Sequence, residues 1–77
     1  MTVDHDGKVP VYLQIAAILR DAIARGDYPP GRAVPSESRL MQEHGVARLT
    51  ARKAVRVLAE EGLVEVVPGR GAYVTER

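Results

Sequence analysis

The chain contains no cysteine, so disulfides and thiolate metal sites are both excluded, which suits a reducing compartment. It also lacks any long apolar run: the longest, Ile15 to Leu19, is five residues, against about 20 for a bilayer-spanning helix. The opening "MTVDHDGK" has neither the basic start nor the apolar stretch of a signal peptide. The two histidines, His5 and His44, are far apart in the chain with no further ligand at metal spacing. No carboxylate pair, nucleophile–base set or metal cluster is present, so the sequence predicts a protein that is not an enzyme, with no cofactor and no metal. With 77 residues there is room for one domain. A chain of this size buries about 60% of its unfolded surface and has no space for a deep catalytic cleft beside its core. The expectation is a soluble, cytoplasmic domain.

The chain has little net charge, since 11 cations nearly balance 10 acids to leave +1, but the charges are unevenly placed. The segment "ARLTARKAVR", residues 47–56, holds Arg48, Arg52, Lys53 and Arg56 and no acid. Total charge would not suggest a polyanionic partner; this local concentration does.

The first nine residues are polar and predict a mobile N-terminal arm. Pro10 suits a helix start, and Val11, Ile15, Ile18, Leu19, Ala22 and Ile23 follow as one apolar stripe at helical spacing. Gly26 is the expected left-handed cap. "DYPPGRAVP" is a turn-rich connector in which Ala33–Val34 form a short extended segment. Ser36 is placed to cap a second helix that runs to about His44, where Gly45 breaks it and Val46 plugs the turn. A third helix is expected from about Arg48 to Glu61, stopping at Gly62, with Ala51, Ala54, Val55 and Leu58 inward. After Gly62 the period changes: "LVEVV", a "PGRG" turn and "AYVT" predict a β-hairpin, which needs the helices for its stability.

A short helix, a glycine turn and a longer helix have the proportions of a helix-turn-helix, and a hairpin directly after it is the wing of a winged helix. The fold class is therefore mainly α with a small β-hairpin wing: a winged helix-turn-helix of three helices and two strands. It spans residues 10–75, between the arm (1–9) and a short tail (76–77). In such a motif the third helix enters the major groove and offers its N-terminal residues to base edges. With Ala51, Ala54, Val55 and Leu58 inward, 100° per residue puts Arg52, Lys53 and Arg56 on the outer half. Arg52 is placed for a guanine edge, and Arg48 for guanine or a phosphate. Lys53, Arg56 and Thr50 are assigned to phosphates.

Leu49 points away from the buried stripe. A thymine methyl would be a suitable partner; alternatively it folds back onto the second helix or is simply exposed. At the hairpin tip, Arg70 sits between Gly69 and Gly71. Either the backbone there approaches a minor groove or phosphate closely, or the glycines merely supply positive φ for the turn.

The assembled segments resemble the DNA-binding domain of the GntR (gluconate repressor) family of bacterial transcriptional regulators. The resemblance rests on "PVYLQIAAILRDAIARGDYPPG", "VPSESRL", "HGVARLTARKAV" and "EEGLVEVVPGRGAYV", in order, and is greatest to the branch that contains the histidine-utilisation repressor. It implies DNA contacts at Arg48, Thr50 and Arg52, and at Gly69 and Arg70 in the wing. Members often read "PSERE" where Ser38 and Arg39 stand here, so a family arginine is missing at Ser38, and Arg39 stands one step around the helix from it. The missing glutamate also breaks a reciprocal capping box with Ser36. Ala47 replaces a usual Ser or Thr, at a cost of about 1 kcal/mol in capping. Typical members continue into an effector-binding, dimerising domain, whereas this chain ends at Arg77, so no small-molecule effector site is expected in it.

The candidate DNA-binding set is Ser36, Arg39, Arg48, Leu49, Thr50, Arg52, Lys53, Arg56, Gly69, Arg70 and Gly71. The expected function is that of a sequence-specific regulator bound to double-stranded DNA. A possible homodimer would ask for an inverted-repeat operator. With about five phosphate contacts, the affinity should fall with salt at a slope near −0.9 per contact. The competing reading is a winged-helix protein-interaction module, which exposed Leu49 and Val57 and a net charge of only +1 would fit. Alanine at Arg52 separates the two.

Overall fold

The computed structural model describes residues 3–76. Three helices, α1 (Val11–Arg25), α2 (Glu37–His44) and α3 (Arg48–Glu60), precede an antiparallel hairpin of β1 (Val64–Val67) and β2 (Gly71–Val74). Each helix ends where the backbone chemistry requires it to. Gly26, Gly45 and Gly62 take φ values of 85°, 62° and 76°, the left-handed region that residues with a Cβ enter at a cost. After α3, Gly62 donates to the Ala59 carbonyl and Leu63 to the Leu58 carbonyl, both at 3.0 Å, so the last turn is closed by the chain itself. Pro10 occupies the N-cap position of α1, one residue before the first helical position, and makes no side-chain cap. The Ser36 hydroxyl accepts the Arg39 N–H at 3.1 Å and caps α2.

The core takes one fully buried large side chain from each helix: Ile15, Leu40 and Leu58. Around them close Ala51, Ala54 and Val55 of α3, the face expected from the sequence, together with Leu19, Val34, Val64 and Val74. Burying a leucine of this kind stabilises a fold by roughly 1.5–3 kcal/mol. The alanines matter by being small, since they let α1 pack closely along α3.

The hairpin has a third, short partner. Val34 donates to the Ala72 carbonyl at 3.0 Å, Val74 to Arg32 at 2.8 Å and Gly31 to Val74 at 2.9 Å, so the Ala33–Val34 segment runs antiparallel to β2. This ties the wing to the connector.

Two placements differ from the sequence-based expectation. Residues 3–9 lie docked on the domain, where a loose arm was expected. Val3 is buried in the core, and Gln14 clamps the segment by accepting from Asp4 N and donating to the Asp4 and Val9 carbonyls, each at 2.7 Å. The His5 ring lies 3.0 Å from the His44 carbonyl, anchoring the segment at the end of α2. One apolar residue and one amide side chain are enough to seat a short stretch, and neither makes a periodic pattern. Met1 and Thr2 of the predicted arm, and Arg77 of the tail, lie outside the described residues. The second difference is Val57, expected on the surface but half-buried against the core. Among the described residues, no helix is long and apolar enough to cross a membrane and no cluster could hold a metal ion.

Candidate nucleic-acid interface

A shallow groove of about 630 Å³ runs between the start of α2, the exposed face of α3 and the wing. It gathers Ser36, Arg48, Arg52, Arg56, Gly69, Arg70 and Gly71 along one side of the molecule, although the chain separates the first and last of them by 35 positions. The α2–turn–α3 crossing brings Ser36 to the arginines, and the β1–β2 register of Val67 with Gly71 carries the wing tip round to meet them.

Four candidates lie outside this groove. Leu49 is 61% exposed on the first turn of α3, so it does not fold back onto α2. Thr50 is half-buried beside it. Lys53 projects from the other flank of α3, with its ammonium 5.8 Å from the centre of the Tyr12 ring, which holds the charge by a weak cation–π attraction. Arg39 is paired with Glu43 one turn along α2, Nε to Oε2 at 2.9 Å. That contact, with the charge coupling behind it, raises the Arg39 pKa above its ordinary value.

Arg56 and Arg70 have no acidic partner among the described residues. Pro68 and Gly69 occupy the centre of the wing turn, closed by Arg70 N–H on the Val67 carbonyl at 3.0 Å. The φ of 76° at Gly69 suits the second central position of a type II turn. A Cβ at Gly69 or Gly71 would meet no atom within 4 Å. Their backbone thus lies bare toward the outside, and the turn accounts for positive φ without excluding a close approach there.

Ala47 makes no side-chain hydrogen bond at the start of α3. The N-cap residue therefore offers no side-chain acceptor to the first N–H groups of that helix, beside Arg48, and uncapped helix starts of this kind favour an anion.

Sequence reasoning missed Glu37. At the first position of α2, its carboxylate accepts from Arg52 Nε at 2.9 Å and Nη2 at 3.3 Å, and from Arg48 Nη1 at 3.2 Å. The Arg52 hydrogen bond is the main reason its carboxyl lies below the ordinary value, followed by the opposing effect of burial and then the Arg48 contact. The same bond raises the Arg52 guanidinium further. One acid thus neutralises half of a two-arginine cluster and leaves it net positive. The contacts bridge 11 and 15 residues, and no local spacing signals them.

Comparison with known proteins gives a consistent answer. Residues 11–74 match the family described as bacterial regulatory proteins, gntR family. The mannosyl-D-glycerate transport/metabolism system repressor MngR of Escherichia coli (strain K12) is 49% identical over 70 residues, covering 91% of this chain and 29% of that protein. The histidine utilization repressor of Pseudomonas putida is 37% identical over 71 residues, 92% of this chain and 29% of that protein. Among solved structures, the AraR DNA-binding domain in complex with operator ORR3 superposes with a TM-score of 0.85 at 33% identity, covering 97% of this chain and 90% of that one. The chain spans less than a third of the length of these curated relatives.

Proposed function

The chain belongs to the gntR family of bacterial regulatory proteins, and from that membership we propose that it binds double-stranded DNA sequence-specifically to regulate transcription. The observation that carries this reading is the groove: the exposed start of α3 and the tip of the wing present Arg48, Arg52, Arg56 and Arg70 on one side of the molecule. The relatives support it too, since two are named repressors and the AraR domain is bound to an operator.

In this reading α3 lies in the major groove. Arg52 takes a guanine edge, Arg48 a guanine or a phosphate, and Leu49 a thymine methyl. Lys53, Arg56 and Thr50 meet phosphates, and Ser36 and Arg39 face the flanking backbone. Gly69, Arg70 and Gly71 reach the adjacent minor groove or its phosphates. A two-fold pair of such domains asks for an inverted repeat. Docking to a protein partner has lost one of its supports, because Val57 is partly buried against the core.

Selection of binding sites from a randomised duplex library, for the wild type and Arg52→Ala in parallel, tests the proposal. An enriched motif that loses a guanine preference in the variant is the expected result. A folded protein that enriches nothing at low salt would contradict it. Recovery of an inverted repeat rather than a half-site would decide the two-fold assembly.

A further inference from the structure

Resting on that DNA-reading role, we infer that Glu37 is a positioning residue that sets the sequence selectivity of the interface, holding the Arg52 fork in its reading orientation while lowering affinity for DNA of any sequence.

The geometry of the guanidinium is the first support. An arginine has five N–H donors in a rigid plane. Arg52 gives Glu37 its side edge, Nε and Nη2. The end edge, formed by Nη1 and the second hydrogen of Nη2, stays available and points along the side chain. That end edge is a pair of parallel donors, the arrangement that meets guanine O6 and N7. A free arginine must order several torsions before making that contact, whereas one held along its side edge has already done so. Arg48 shares the same carboxylate through Nη1 alone and keeps its Nε edge.

Charge is the second support. Glu37 places an anion inside a surface that is to meet phosphates, within a Debye length of about 8–10 Å. Its carboxylate opposes every duplex alike, while the fork that it holds rewards the correct one. The residue's cost falls on sequence-independent binding, which is electrostatic, and its benefit on the specific complex. Arg39 and Glu43 provide the contrast: that pair closes within one helix, one arginine to one acid, and holds nothing on α3.

Two substitutions separate the parts. Glu37→Gln removes the anion and leaves a side chain of the same length; Glu37→Asp keeps the anion but is too short to reach both arginines. Each is titrated by fluorescence anisotropy against one scrambled 30-base-pair duplex and carried through selection from the randomised library, after thermal unfolding has verified that it is folded. Glu37→Gln should bind the scrambled duplex severalfold more tightly than the wild type, while Glu37→Asp should match the wild type there. Both should lose about tenfold in preference at the base pair where Arg52→Ala loses its own. Selected motifs in both variants as sharp as the wild type's would overturn the positioning role. If the wild type itself enriches no motif, DNA reading fails first and this inference with it, a result distinct from loss in the variants alone.

Discussion

Arginine–glutamate pairs brace α3 at both ends, and they differ in stoichiometry. At the C-terminal end, Arg20 of α1 grips Glu61 bidentately, Nε to Oε1 at 2.8 Å and Nη2 to Oε2 at 2.6 Å. One cation meets one anion, both donors of the side edge are satisfied, and the pair joins α1 to the end of α3. At the N-terminal end, Glu37 serves both Arg48 and Arg52. Two cations share one acid there, so positive charge and unused donors remain on exposed side chains, in the first turns of a helix that its N-cap residue does not cap by a side chain. The chemistry at the two ends is alike, but the first closes a fold and the second leaves an interface open.

If this contrast is right, Arg52→Ala is the change with the largest effect. It should lower the ratio of selected-site to scrambled-site affinity by about tenfold or more, with little change in thermal midpoint, because the side chain is on the surface; titration of both duplexes measures this. Arg70→Ala comes next. It should weaken binding across sequences severalfold and reduce the slope of log K against log salt by about 0.9, the value for one lost phosphate contact, as read from a salt series. If Arg70 contacts a base edge in the minor groove, the slope change should be smaller.

Ser36→Ala removes the side-chain cap of α2 and should cost about 1 kcal/mol in denaturant unfolding. It also loosens the first turn of α2, where Glu37 sits, so a small loss of DNA preference should accompany it. Ala47→Ser should do the reverse at the start of α3, adding up to about 1 kcal/mol where no side chain now caps the helix.

The smallest effect is on acid titration. Glu37 and Glu61 are both held below the ordinary 4.5, chiefly by the hydrogen bonds from Arg52 and Arg20 respectively. A carboxyl depressed in this way stabilises the fold above its unfolded-chain value and loses that contribution as pH falls through the lower folded value. NMR titration should find both midpoints below 4.5, with Arg20→Ala moving only that of Glu61 upward and Arg52→Ala only that of Glu37. Both pairs are exposed to solvent, so the accompanying stability change should be slight.

What could be read from the chain follows from the range of the interactions involved. Helix ends at Gly26, Gly45 and Gly62, the Ser36 cap and the inward face of α3 are local matters, decided by residues within one or two turns. Arg52 and Arg56 were placed outward by the same periodicity. Glu37 was not legible as a functional residue because its role exists only once α2 crosses α3. The docking of residues 3–9 was equally hidden, since Val3 is the one buried residue of a mostly polar stretch and Gln14 does its clamping from a different element. Val57 lies at the edge of the α3 stripe, where a few degrees of rotation decide between core and solvent.

The most direct test of the contrast between the two ends of α3 is to measure Arg52→Ala and Arg20→Ala side by side for two quantities: preference for the selected duplex over a scrambled one, and thermal midpoint. The expected result is that Arg52→Ala loses preference while Arg20→Ala keeps it, with only a slight fall in midpoint in either, since both pairs are exposed to solvent. Equal losses of preference in both variants, or none in Arg52→Ala, would contradict it.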